Sequence, residues 1–173
     1  WMGVMTALNP ILSQQHGAGE TAQVGETGRQ GLWFGLLLGL AGMVLLLAAI
    51  PPFLWYLKLS DNVENMLAQY LMFTAPAMPA MMLHRALHAY ASSLNRPKPI
   101  MWVSWAALLL NIPLNYVFVY GKFGMPQLGG AGCGLATMLV CWFSTVALWL
   151  YVKKSSYFHR FGLQGGFSKP DLA

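Results

Sequence analysis

The chain has 173 residues, of which 57% are hydrophobic and only 9% are charged. An ordinary soluble domain carries about 25% charged residues, so this composition excludes that class and indicates an integral membrane protein. The net charge of +5 does not point to nucleic acid as a partner, because the basic residues flank long apolar segments, as they do in membrane proteins.

Five apolar segments follow one another along the chain. The first, residues 1–15, is too short to cross a bilayer at about 1.5 Å per residue and opens on tryptophan, so it is predicted to be the end of a truncated transmembrane helix. A loop is predicted over residues 16–30. Four complete transmembrane helices are predicted over residues 31–57, 65–90, 100–120 and 129–152, with a loop at 91–99 and a tail at 153–173. No segment alternates like a barrel strand, so the predicted fold class is an all-α integral membrane protein, a transmembrane helix bundle.

The loops differ in their content of basic residues, and this predicts the orientation. The loops 16–30 and 91–99 and the tail 153–173 together carry seven Lys or Arg, whereas the loops on the other side carry two. Basic residues concentrate in cytoplasmic loops of membrane proteins. The two loops and the tail are therefore predicted to be cytoplasmic.

Nothing in the sequence predicts an enzyme or a metal site. There is no nucleotide-binding glycine loop and no pair of catalytic carboxylates. All five acidic residues lie outside the apolar segments. Cys133 and Cys141 are predicted to be free thiols. The cluster His84, Arg85 and His88 is interpreted as an anchor at a helix end, since no third metal ligand lies near it.

Polar residues inside membrane helices are costly, and they are therefore candidates for function. Asn111 and Asn115 are four residues apart, so they lie on one helical face, with Pro113 between them to free a main-chain carbonyl. Such a pair can bind a cation or a hydrogen-bonding ligand, or it can join neighbouring helices. Thr137 is a weaker candidate, because its hydroxyl can equally bond to its own helix.

Three parts of the sequence resemble the multidrug and toxic compound extrusion (MATE) family. Residues 9–14 with the turn at 16–19 resemble its second helix and the following loop, and residues 87–99 resemble the loop after its fourth helix. Its fifth and sixth helices, in the NorM branch, are resembled by residues 110–116, 121–124 and 128–137. The resemblance covers essentially the whole chain.

The resemblance implies a twelve-helix antiporter built of two six-helix lobes, of which this chain is part of the N-terminal lobe. Members export cationic amphipathic drugs in exchange for Na⁺ or H⁺, as multi-pass proteins of the bacterial inner membrane. A coupling ion, and no cofactor, is therefore expected, and the full-length protein is expected to work as a monomer. Helix one and the second lobe would lie outside the chain.

The resemblance also implies roles for individual residues. It places Asn111, Asn115 and Thr137 in the polar cluster of the first lobe, beside an aspartate of helix one, where they would help to bind the coupling cation. Pro10 and Pro113 are candidate helix bends by their chemistry. Two other functions stay open, a membrane scaffold subunit that transports nothing and a lipid-linked flippase of related fold.

Overall fold

The structure is a computed structural model that describes residues 7–19, 21–57, 60–94, 97–122 and 128–155. Within these ranges the chain forms helices and no strand, which confirms the predicted all-α class. The helices are α1 (Leu8–Gly17), α2 (Thr21–Leu57), α3 (Asp61–Thr74), α4 (Ala77–Ser93), α5 (Lys98–Tyr120) and α6 (Gly130–Lys154).

Four helical stretches of the described residues are long and apolar enough to cross a membrane. The shortest has 23 residues and the longest 35. At about 1.5 Å per residue, even the shortest reaches beyond the ~30 Å hydrocarbon core of a bilayer. The four stretches are Gln23–Leu57, Asn62–Ser93, Lys98–Tyr120 and Gly130–Lys154.

The loop predicted over residues 16–30 is largely wrong, because α2 already begins at Thr21. Hydropathy marks where the chain leaves lipid, but a helix does not have to end there. The first turns of α2 are polar and contain no proline, so nothing stops the helix. They are also held by packing, since Val24 is fully buried in a cluster with Leu12 and Tyr90. The described part of the first segment, α1, runs on to Gly17, and residues 1–6 lie outside the described residues.

The transmembrane helix predicted over residues 65–90 corresponds to one stretch long enough to cross a membrane, Asn62–Ser93, which the structure divides into two helices. The helix α3 begins at Asp61 and ends at Thr74, and α4 begins at Ala77. Pro76 lies in the break. It has no N–H to donate to the preceding turn, and its ring clashes with the carbonyl of the residue four positions earlier. The apolar sequence is continuous across this point, so hydropathy gave no sign of the break.

The side chains of α6 occupy the acceptors at this break. Trp142 Nε1 donates a hydrogen bond of 3.1 Å to the main-chain oxygen of Pro76. Thr145 Oγ1 donates one of 2.8 Å to the oxygen of Ala80, one turn further on. Both carbonyls also face main-chain N–H groups four residues on, at Ala80 and His84, so the α6 donors add hydrogen bonds between helices beside the break. The α3–α4 break is therefore stabilised by a neighbouring helix.

We expect Thr145→Val to destabilise the protein, because it removes the donor to Ala80 while keeping the shape of the side chain. The loss should be about 1 kcal/mol, as for other hydrogen bonds between membrane helices. Denaturant unfolding of the full-length protein in detergent measures it. Thr145→Ser keeps the hydroxyl and is the matched control. Equal stability of the Val and Ser variants would contradict a stabilising role for this bond.

The helix α4 lies at the centre of the bundle and packs against α1, α2 and α6, while α5 packs on α6. Small residues let the helices approach closely. A Cβ atom built on Gly39 of α2 would overlap the Cα atom of Pro79. A Cβ atom built on Gly132 of α6 would lie 2.5 Å from the main-chain oxygen of Phe118 in α5. The backbones of these two helix pairs are therefore in contact.

Candidate functional site

The two asparagines of α5 bond to each other. Asn115 Nδ2 donates to the side-chain oxygen Oδ1 of Asn111 and to its main-chain oxygen, each at 2.9 Å. Both side chains are partly buried. The one-turn spacing therefore brings the amides together on one face. The amides bond within one helix. Among the described residues, neither amide bonds to a neighbouring helix, which was the other interpretation of the pair.

The hydrogen bonds of the pair leave oxygen atoms available. Both bonds use the amide nitrogen of Asn115, so its Oδ1 atom keeps its lone pairs, and no described residue donates to it. Carboxamide and main-chain oxygens are ligands that suit hard cations. The pair can therefore present an ordered oxygen to a cation or to a donor group of a ligand.

The asparagine pair lies in the α5 stripe that packs on α6. Asn111 is seven residues before Phe118, which contacts Gly132 of α6, and seven residues are close to two helical turns. Residues between and around them at helical spacing, Val103, Ala107 and Leu114, are buried or partly buried. The amides are thus held at a packed helix boundary, whereas Leu109 on the opposite side is 64% exposed.

Thr137 lies at the same level as the pair, but its hydroxyl does not bond to it. From the contact between Gly132 of α6 and Phe118 of α5, five residues along each helix lead to Thr137 and to residue 113. These two positions are therefore at the same level. The same five residues turn Thr137 about 140° away from that contact. Its Oγ1 donates 2.9 Å to Cys133 O in its own helix. The structure brings Asn111 and Asn115 together and leaves Thr137 apart from them.

The two proline candidates occupy different positions in their helices. Helix α5 runs through Pro113 without interruption, and this proline is exposed to the outside of the described bundle. Pro10 is the third residue of α1, which the structure describes from Leu8. Bending at either proline stays a prediction.

The sequence interpretation missed a cavity on the side of α4. It has a volume of about 320 Å³ and is open between α4 and α6. His84, Arg85 and His88 line it from α4, so the cluster interpreted as a helix-end anchor faces a cavity. The signal was the matching helical spacing on α6, which places Val140, Cys141 and Ser144 opposite them. The seventh lining residue is Met81.

Comparisons with known proteins agree on one family. The MatE family model matches residues 1–117. A probable multidrug resistance protein NorM of Neisseria meningitidis serogroup A is 66% identical over 173 residues, which are 100% of this chain and 38% of the relative. A probable NorM of Chromobacterium violaceum is 48% identical over 98% of this chain and 37% of its own length.

A more distant relative and a solved structure give the same result. The multidrug resistance protein PmpM of Pseudomonas aeruginosa is 38% identical over 99% of this chain and 36% of its own length. The solved MATE transporter NorM-NG, in complex with a drug-like small molecule and a monobody, superposes with a TM-score of 0.76 at 53% identity. That match covers 98% of this chain and 37% of the other. The chain thus spans well under half the length of the relatives it matches.

Proposed function

The chain belongs to the MatE family, and on that premise we propose that it is part of a secondary active multidrug efflux antiporter. Relatives that cover the whole chain are named multidrug resistance proteins. The observation that carries the proposal is the solved relative, which holds a drug-like small molecule and has a fold that this chain matches. The described helices make this a multi-pass membrane protein.

The finer features of the proposal follow from the family. The exported molecules are cationic and amphipathic, and the energy comes from entry of Na⁺ or H⁺ across the bacterial inner membrane. The full-length protein acts as a monomer. Because this chain spans about two fifths of its relatives, these activities belong to the full-length protein and not to the chain alone.

The asparagine pair has a role in ion coupling in this proposal. Asn111 and Asn115 supply amide oxygens beside the coupling cation. Thr137, at the same level, joins the polar cluster when α6 turns towards α5 and its hydroxyl leaves Cys133 O. The preformed Asn115–Asn111 bonds support this role, since an ordered amide needs little reorganisation to bind a hard cation. Bends at Pro10 and Pro113 would accompany ion binding.

The proposal is tested by moving a dye with one ion gradient at a time. The full-length protein is reconstituted in proteoliposomes loaded with ethidium, and a Na⁺ gradient or a proton gradient is imposed separately. We expect dye movement with at least one gradient, and its loss when an ionophore collapses that gradient. No dye movement with either gradient would favour the scaffold alternative. Dye movement that is insensitive to both ionophores would contradict an antiporter.

A further inference from the structure

The cavity beside α4 is lined by one arginine and two histidines, with no acidic residue among its lining side chains. Arg85 is exposed at its edge, and the rings of His84 and His88 lie 6.4 Å apart between their centroids. The partly buried His84 keeps its buried Nδ1 atom without a hydrogen-bond partner among the described residues. The acidic residues of the chain all lie outside α4 and α6, at Glu20, Glu26, Asp61, Glu64 and Asp171.

An arginine in a membrane helix needs a counter-charge. Removing it from water without a partner is costly, so such groups pair with an anion or mark a binding site. The cavity offers nitrogen donors on one wall and the apolar side chains of Met81 and Val140 beside them. This combination suits a molecule with an anionic head and an apolar body. It does not suit the cationic molecules of the proposed transport cycle, because the arginine repels them.

The packing of α2 against α4 shows how deep the cluster lies. The two helices are antiparallel, with Gly35 opposite Met82 and Gly39 opposite Pro79. The polar first turns of α2 end at residues 29–30. When the same register is continued to this point, these residues are level with His88. Arg85 is then about one helical turn, or ~5 Å, inside the apolar zone, a depth from which an arginine side chain reaches the interface.

The same end of the bundle carries further positive charge. Val152 of α6 is buried against Tyr90, so Lys153 and Lys154 lie at the level where α2 becomes polar. Lys98 begins α5 after the α4–α5 loop, at the same end. Juxtamembrane basic clusters attract anionic lipid, and basic pockets between transmembrane helices bind lipid head groups.

We propose that the cavity lined by His84, Arg85 and His88 binds the phosphate head group of an anionic phospholipid. The phosphate accepts hydrogen bonds from the Arg85 guanidinium and from the imidazole N–H of His88. The acyl chains lie along the apolar side chains of Met81 and Val140, which line the cavity. The lipid supplies the counter-charge that α4 and α6 lack. This site is separate from the asparagine pair, so it does not depend on the proposed transport function.

Cys141 lines the cavity and provides a chemical reporter for its occupant. The full-length protein is placed in nanodiscs of phosphatidylcholine or of phosphatidylglycerol, and alkylation of Cys141 by N-ethylmaleimide is followed by mass spectrometry. We expect alkylation about tenfold slower in phosphatidylglycerol, since charge-assisted hydrogen bonds to the phosphate hold the head group there. Cys133, exposed and outside the cavity, reports the general reactivity of thiols in each lipid.

Arg85→Gln should reduce the difference between the two lipids to less than about twofold, because it removes the charged partner of the phosphate. His88→Gln tests a second lining residue, so the result does not depend on the folding of one variant. Lys154→Gln, which removes a charge at the same membrane face but outside the cavity, should keep the difference.

Three results would overturn the assignment. Equal alkylation of wild-type Cys141 in both lipids would mean that no anionic lipid occupies the cavity. Protection by inorganic phosphate in phosphatidylcholine would identify free phosphate as the ligand. A Cys141 that fails to react in either lipid would show that the cavity is closed in the full-length protein.

Discussion

Replacing Gly39 with valine is expected to abolish folding of the protein. A Cβ atom at this position would overlap the Cα atom of Pro79, which is main chain and cannot move aside as a side chain would. The helices α2 and α4 would have to separate, and α4 is the helix on which α1, α2 and α6 pack. Overpacking a rigid contact of this kind costs about 3 kcal/mol or more. The measurement is the yield of monodisperse full-length protein by size exclusion in detergent.

Gly42→Val is the matched control for this experiment. Gly42 lies in the same helix, one turn further on, and a Cβ atom there would meet nothing within 4 Å. Both variants add the same side chain and change helix propensity equally. A yield for Gly39→Val close to that of Gly42→Val would contradict the close approach of α2 and α4.

Asn115→Ala is expected to reduce gradient-driven efflux at least about tenfold while leaving the amount of folded protein unchanged. The substitution removes an amide oxygen that we propose to lie beside the coupling cation, and it also removes the bond that orients the Asn111 side chain. One charge-assisted bond lost corresponds to roughly 1.5 kcal/mol or more, which is about a tenfold change. Dye efflux from proteoliposomes under the effective gradient measures it.

Two further variants define the cause of that loss. Leu109→Ala changes an exposed residue on the opposite side of α5 and should transport normally. Asn111→Ala should resemble Asn115→Ala, and the double variant should lose little more, because residues joined by one hydrogen bond are not additive. Normal efflux by Asn115→Ala would remove this residue from the proposed site.

The helical nature of the chain could be predicted from composition, but two of its boundaries could not. Hydropathy reports contact with lipid, so it placed the start of a helix at residue 31, whereas main-chain hydrogen bonding and the packing of Val24 carry α2 back to Thr21. Proline does not mark a break by itself either. Pro113 lies inside continuous α5, while Pro76 lies at a break that Trp142 of α6 supports.

The candidate site was accessible to sequence reasoning only in part. Spacing alone predicts that Asn111 and Asn115 share a face, and the structure shows them hydrogen-bonded. Spacing does not determine which acceptor a threonine hydroxyl chooses, and Thr137 bonds to its own helix. The cavity beside Arg85 depends on how α4 and α6 face each other, which no pattern within one helix contains. The role of these residues in ion coupling stays a prediction.

The support of the α3–α4 break by α6 has a consequence for how the protein is made. The acceptors Pro76 and Ala80 leave the ribosome 66 and 65 residues before their donors, Trp142 and Thr145. At about 5–20 residues per second, this gap lasts roughly 3–13 s. During that time the break lacks its donors from α6. Nascent chains halted before α6 should therefore be recognised by membrane quality-control proteases, and chains halted after it should be protected.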